Sequence, residues 1–513
     1  MHADRFPEGG CDLVYFWRKS EPNMILTTTL KMEKAMAQAN SYSEWSQAAK
    51  AHDQSTGVDK WKETDESKHF DYKSIRRRLK RLSTLWKSQD NAGLLYALNE
   101  GIHGNMDGMG HARLYQKAKF GTKQLIQDYV DAIVNSLEYL ASAKVTDIPF
   151  EEKLDFFRRA QHCYGRSAFL MSGSGAYLYF HVGVVKALWE QGLLPHIMSG
   201  SSGGSVVGAL ISTRTDDEIP PFFKPENLVL GPDHEVDGQT GLLGGPRQMR
   251  ADEIRQRLTD LLPDLTFQEA YELTGRHLNV SIAPAEKHQT SRLLNAIASP
   301  NVYIREAVLA SCAVPGIYPP VTLAAKDHRG ERVPYLPNRK WVDGSVTHDL
   351  PVKRLARLYG VNHHIVSQAN PLITPFATDF SQVRNPLSSI RNATTATMKA
   401  WLNANVEIMQ KPLSYFPRLN SMANMALSVI NQDYTGDINI IRPTMFWGPA
   451  KILSNLPVED IAELIQLGER TTWPKIEMVR TQTKISQTLD RILFEYENEL
   501  AHDHELAMKR KIA

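Results

Sequence analysis

The run Gly200-Ser201-Ser202-Gly203-Gly204 sets a serine between two glycines and follows the apolar stretch Leu193 to Met198. A serine hydroxyl is a poor nucleophile until the backbone holds it in the open beside a base. The tight strand-to-helix turn that does so needs small residues two positions before and two after the serine. Here Leu193 to Met198 supplies the strand, and Ser205 to Ile211 reads as a small-residue helix able to pack close beneath it. A plain Gly/Ser-rich turn would spell the same letters, so the rest of the chain has to decide.

One helix and one strand upstream lies a second glycine loop. Ala168 to Met171 is a short buried-strand pattern, Ser172-Gly173-Ser174-Gly175-Ala176 follows, and Val182, Val185, Leu188 and Trp189 then fall at helical spacing up to Gly192. A strand, a glycine loop and a helix N-terminus in that order turn backbone N–H groups toward an anion. The anion could be a phosphate or the oxyanion of a tetrahedral acyl intermediate. A dinucleotide fingerprint fits less well, because the position of its third glycine holds Leu178 and no second mononucleotide-binding half follows.

The order of the remaining chemistry is informative. In α/β-hydrolases an acid and then a histidine follow the serine, and the oxyanion loop belongs to a separate strand well before it. Here Trp341-Val342-Asp343-Gly344-Ser345 ends a short apolar run on an acid before a glycine turn, and no later histidine stands out. His348 is close behind, and His363 and His364 lead into a strand-like run. A Ser202–Asp343 dyad fits the spacing better than a triad.

These segments together resemble the patatin-like phospholipase family. More closely, they resemble the branch of plant sugar-dependent and yeast lipid-droplet triacylglycerol lipases. Further matching runs are Tyr42 to Lys50, Phe156 to Arg159, Tyr164 to Ala168, Thr266 to Tyr271, Ala310 to Gly316, Asp349 to Pro351 and His363 to Pro371. The resemblance implies Ser202 as nucleophile and Asp343 as proton acceptor. On the same resemblance Gly200 and Gly204 would be the motif glycines, Gly344 and Ser345 would complete the acid's motif, and Gly173, Ser174 and Gly175 would form the oxyanion hole. Relatives usually carry glycine where this chain has Ser174 and Leu178. The H-x-x-x-x-D signature of acyltransferase relatives is missing, since His103 and Asp107 stand one residue too close.

The implied activity is that of a serine acyl hydrolase, a lipase or phospholipase that cleaves fatty-acyl esters of glycerolipids through an acyl-enzyme. It would be most similar to triacylglycerol lipases and would need no cofactor and no metal. The implied partners are a glycerolipid and, peripherally, a membrane or lipid-droplet surface. The alternative is a catalytically weak lipid-surface binding protein that retains the fold.

Charge is nearly balanced at +2, so nothing points to nucleic acid as a partner. Cys11, Cys163 and Cys312 are too few and too widely spaced for a disulfide framework and suit a reducing, intracellular compartment. Cys312 reads as a small core residue. Asp4, Arg5, Glu8 and Asp12 break any signal-peptide pattern, and no long uncharged apolar run suggests a transmembrane span. The expected protein is soluble or peripheral on lipid.

The expected architecture is α/β, a patatin-like core with a mostly parallel sheet between helices. The expected divisions are an extension over 1–41, a helical N-terminal domain over 42–165, the catalytic core over 166–370, and a helical region over 371–513 with one returning strand near 437–441. Strands are expected at Ala168–Met171, Leu193–Met198, Leu278–Ala283, Arg339–Val342 and Ile365–Gln368. Thr266-x-x-Glu269 is a capping box opening a helix. Ile390, Met398, Trp401, Leu402, Val406 and Met409 form a helical stripe expected to pack on the core. Ile75, Leu79, Leu82 and Trp86 form another stripe, with Arg76, Arg77, Arg78, Lys80 and Arg81 around it. Such a helix either covers a core or lies on an anionic membrane. The Pro/Gly-rich stretch from Thr213 to Arg250 is either a lid or a disordered loop, with Phe222 and Phe223 as its lipid-inserting candidates.

Overall fold

The computed structural model describes residues 21–102, 106–229, 250–286, 289–345, 349–371, 373–374, 436–443 and 454–512. The stripe from Ile390 to Met409, His348 and most of the candidate lid fall outside them.

Nine strands are described: β1 (Arg166–Met171), β2 (Ile197–Gly200), β3 (His277–Pro284), β4 (Arg292–Leu294), β5 (Leu323–Lys326), β6 (Arg332–Tyr335), β7 (Trp341–Asp343), β8 (Val361–Gln368) and β9 (Ile438–Ile441). Seven form one sheet in the order β4-β3-β2-β1-β8-β9, with β7 also paired to β3. The pairs β1–β2, β2–β3, β1–β8 and β8–β9 are parallel, while β4 and β7 run antiparallel to β3. The fold is therefore α/β with a mostly parallel sheet, and every β1 residue from Ala168 to Met171 is buried. Helices cover it, as a parallel sheet built of apolar runs requires.

The helix Leu178–Trp189 lies on this sheet, and the helix Val458–Thr472 packs on it in turn. Their contact is unusually close. A Cβ on Gly183 would stand 1.9 Å from the Ile465 carbonyl oxygen, and one on Gly468 would stand 2.3 Å from that of Phe180. Thr266 caps the helix Phe267–Thr274, accepting from Glu269 N–H at 3.3 Å, and its own N–H donates to Glu269 at 2.9 Å.

A second core lies among the N-terminal helices and contains Ile75, Leu82, Leu98, Ile126, Ile133, Leu137, Phe156 and Phe157. The long helix Ile476–Ile512 completes it with Ile485, Leu489, Ile492 and Tyr496, while Met478 and Val479 near its start belong to the core under the sheet. The helix spans roughly 55 Å at 1.5 Å per residue, long enough to reach both cores.

The stripe around Ile75 proves to be core-facing, with Ile75 and Leu82 buried. Much of the charge around it is neutralised within the fold. Arg76 pairs with Asp65, Arg81 with Glu100, and Arg78 donates to the Gly101 carbonyl. Phe223 is buried against Trp189, and Phe222 lies under the Arg214 guanidinium at 4.0 Å. The lipid-inserting role expected for this pair is corrected accordingly: both rings already have partners inside the protein. Among the described residues no helix is long and apolar enough to cross a membrane.

Candidate active site

The register of the sheet explains how the serine and the acid meet. Gly200 at the end of β2 lies beside Val280 of β3, and Asp343 at the end of β7 lies beside Ile282, two residues further along β3. Ser202, two residues past Gly200, is thus brought level with Asp343. Both sit at the carboxyl edge of the parallel strands, the usual ligand edge of an open α/β sheet.

Ser202 occupies φ +48, ψ −124, a conformation non-glycine residues rarely adopt. Such a residue persists only where its surroundings hold it. Its N–H donates to Ser311 Oγ at 2.9 Å, and Ser311 Oγ donates to the Ser281 carbonyl of β3 at 2.8 Å. Below the turn there is no room for side chains. A Cβ on Gly200 would come within 2.4 Å of the Gly204 carbonyl oxygen, and one on Gly204 within 2.5 Å of that of Met171.

The Asp343 carboxylate is 1% exposed, and the Ser202 hydroxyl is among the groups that favour its ionised form. Burial pushes the Asp343 carboxyl up to about 6, against the opposing pull of hydrogen bonds from Ser345 and Ser202. Ser345 N–H donates to Asp343 Oδ1 at 2.8 Å across the Gly344 turn, and Asp343 N–H donates to the Ala313 carbonyl at 3.0 Å. The result is a fixed carboxylate that is ionised at neutral pH yet a stronger base than an exposed one.

The glycine loop follows β1 as expected, with one correction. Gly173 N–H donates to Asp349 Oδ1 at 2.8 Å, so that amide is committed and leaves the set of candidate oxyanion donors. The N–H groups of Ser174 and Gly175 have no partner among the described residues, and neither does that of Gly203 in the first turn of the helix Gly203–Ser212. A Cβ on Gly203 would lie 2.5 Å from Ser174 Oγ and 2.8 Å from the Gly175 carbonyl oxygen, so the loop and the elbow touch.

Histidines stand apart from the pair. His181 is wholly buried, with Nδ1 2.7 Å from Ser367 Oγ and Nε2 3.0 Å from the Ser172 carbonyl oxygen. Burial pushes its pKa down to about 3, so it stays neutral and ties β1, β8 and the covering helix together. His363 lies 3.1 Å from Ser167 Oγ and 2.8 Å from Gln482, and His364 faces Asp437 at 3.3 Å.

A cavity of about 80 Å³ opens beside Ser202, walled by Leu178, Tyr179, Val206, Leu258, Val314 and Tyr318. Cys312 also lines it, with its thiol pushed up by burial and by the Asp343 charge. It packs against the main core as well, in keeping with its reading as a small core residue. A larger cavity of about 390 Å³ lies among the N-terminal helices around Arg78, Glu100 and Tyr129. Its lining residues set no nucleophile beside a base, so the smaller cavity is the candidate site. Among the described residues no three His, Cys, Asp or Glu side chains form a metal-binding group.

Sequence reasoning gives no role to Ser311 or Asp349, whose runs Ala310 to Gly316 and Asp349 to Pro351 serve there only as points of resemblance.

Comparison with known proteins gives two family matches: a domain of unknown function, DUF3336, over residues 26–162, and patatin-like phospholipase over residues 169–356. The triacylglycerol lipase SDP1L of Arabidopsis thaliana is 34% identical over 89% of this chain and 57% of its own length. A patatin-like phospholipase domain-containing protein of Cryptococcus neoformans is 32% identical over 92% of this chain and 56% of its own. One from Aspergillus clavatus is 32% identical over 90% of this chain and 68% of its own. The chain spans little more than half the length of the first two.

Proposed function

The chain belongs to the patatin-like phospholipase family, and on that premise we propose that it is a serine acyl hydrolase acting on fatty-acyl esters of glycerolipids, in the manner of a triacylglycerol lipase. One observation carries the reading: a serine at φ +48 whose hydroxyl meets a buried carboxylate of pKa about 6. Asp343 accepts the Ser202 proton as the oxygen attacks the ester carbonyl. The charge that develops on the carbonyl oxygen is met by the N–H groups of Ser174, Gly175 and Gly203, fixed donors in a dry site. The protonated Asp343 then gives its proton to the leaving glyceryl oxygen, and an acyl-enzyme remains on Ser202. Water, activated by the same carboxylate, releases the fatty acid.

The apolar cavity beside Ser202 suits an acyl chain. Its walls belong in part to the helix Ala251–Leu261, through Ile254, Leu258 and Leu261. With no membrane-crossing helix among the described residues, lipid would be met at a membrane or droplet surface.

A fluorophosphonate probe tests the reading, since only an activated serine reacts. Wild type should label and Ser202→Ala should not, and products released from a mixed panel of triacylglycerol, phospholipid and lysophospholipid should identify the preferred ester. An unlabelled, folded wild type that releases no fatty acid from any of them leaves only the lipid-binding reading.

A further inference from the structure

We propose that Asp349 is a positioning residue for the oxyanion turn; this rests on the acyl-hydrolase reading above. The carboxylate is 1% exposed and its Oδ1 accepts the Gly173 N–H at 2.8 Å. The backbone carbonyl of the same residue accepts the hydroxyl of Ser201, the neighbour of the candidate nucleophile, at 3.0 Å. The third catalytic segment reaches the same spot. A Cβ on Gly173 would stand 3.0 Å from Ser345 Cβ and 3.6 Å from Asp349 Oδ1. Glycine loop, elbow and acid turn therefore meet around Gly173 and Asp349.

A carboxylate removed from water is costly unless hydrogen bonds hold it, and a charge-assisted bond to a backbone N–H is among the stronger ones. That bond fixes the orientation of the peptide entering the loop. By consuming the Gly173 amide it leaves the following two, Ser174 and Gly175, to face the reacting carbonyl. Donors of this kind work only when aimed at where the oxyanion forms, not at the ground-state oxygen. Asp349 touches neither substrate nor nucleophile and acts through the loop.

The test compares Asp349→Ala and Asp349→Asn on a short, water-soluble ester, with a boronic acid as tetrahedral mimic and a free fatty acid as ground-state ligand. Asp349→Ala should lower kcat by about 10²-fold with little change in KM, the scale of losing one oxyanion donor. It should weaken boronate binding by a similar factor and leave fatty-acid binding alone. Asparagine keeps an acceptor oxygen without the charge, so Asp349→Asn should rescue most of the loss, ending about three- to tenfold below wild type.

A folded Asp349→Ala enzyme with wild-type kcat and boronate affinity overturns the proposal, as does an Asp349→Asn enzyme no better than alanine. Should the alanine variant not fold, asparagine decides alone: unchanged kcat and boronate affinity overturn the proposal, and a selective loss of both supports it. Fluorophosphonate labelling of wild type, abolished in Ser202→Ala, separates this failure from failure of the hydrolase reading.

Discussion

The core of the N-terminal helices and the edge of the sheet that bears Ser202 are both buried, yet they are made of different material. The first is filled by Leu98, Ile126, Ile133, Leu137, Phe156 and Phe157, large apolar side chains at helical spacing. The second is built from Gly200, Gly204, Ser281, Ser311, Asp343 and Asp349, small or polar groups whose hydrogen bonds and close approaches fix a backbone path. Shape-filling cores tolerate swaps of similar volume. An edge in which each hydroxyl, carboxylate and missing Cβ has one use does not. Substitution in the first should therefore act on stability, and in the second on activity.

The largest effect tests the second half of that contrast. Ser202→Ala removes one oxygen and should lower ester hydrolysis by at least about 10⁴-fold, with thermal unfolding unchanged. Asp343→Asn should approach that loss, measured by initial rates of fatty-acid release. Its effect on stability should be opposite to that of a core mutation. The folded pKa of Asp343, about 6, lies above the reference value of 3.8, so the fold favours the protonated form. That contribution is present below the reference value and is lost as pH rises through about 6, leaving a strained, ionised group at neutral pH. Replacing it with neutral Asn should stabilise the protein by about 1–3 kcal/mol at pH 8. A dead enzyme that also melts earlier would break the comparison.

Close packing gives the next effect. Gly183→Ala drives a methyl into the Ile465 carbonyl, and overpacking of this kind costs roughly 1–3 kcal/mol or more. Ile126→Val in the helical core should cost only about 0.5–1.5 kcal/mol and leave kcat where it was. Denaturant midpoints measured beside kcat separate the two. A several-fold fall in kcat for Ile126→Val would mean that the helical core is coupled to the site.

The same contrast governs what could be read from the sequence. Buried strands announce themselves as apolar runs, and Ala168–Met171 and Ile365–Gln368 lie within β1 and β8. The capping box at Thr266 and the stripe at Ile75 are local patterns with local causes. By comparison β4 is three residues long, and β5 and β6 read Leu-Ala-Ala-Lys and Arg-Val-Pro-Tyr, with helix-favouring alanines in one and a proline in the other. At the site, Ser202 and Asp343 carry motifs. Ser311 and the link from Asp349 to Gly173 exist only once distant segments meet, and no spacing encodes that. Phe222 and Phe223 misled for the same reason, since Pro-Pro-Phe-Phe looks alike whether the rings face lipid or Trp189.

Acidity provides a smaller, graded effect. On the proposed mechanism ionised Asp343 is the competent form, so kcat/KM for a soluble ester should fall as pH drops through about 6. His181, pushed down to about 3 and holding both ring nitrogens in hydrogen bonds, should contribute no second limb between pH 5 and 8. A His181→Gln enzyme that folds should keep the same acid limb. Movement of the limb in that variant would return a histidine to the mechanism.

The smallest effect concerns how lipid is met, and it sets the outer face of the helical layer against the loop beside the sheet. Phe223 is buried on Trp189 and Phe222 is covered by Arg214, so Phe222→Ser and Phe223→Ser should lower stability while leaving vesicle binding unchanged. On the helix Tyr72–Lys87 the charges of Arg76 and Arg81 already face Asp65 and Glu100. Arg77 and Lys80 are exposed and make no ion pair among the described residues. Such charges contribute about 1 kcal/mol each near an anionic surface, and the attraction is screened over about 10 Å at 0.1 M salt. Arg77→Gln/Lys80→Gln should therefore weaken sedimentation with phosphatidylserine vesicles several-fold at low salt and hardly at all at 0.5 M. Hydrolysis of a short soluble ester, which needs no surface, should not change. If the phenylalanine variants lose vesicle binding at every salt concentration while staying folded, the loop opens on lipid and the helix is scaffold. If only the basic pair matters, the helical layer serves as the docking face, and a region built for stability also brings the proposed catalytic edge to lipid.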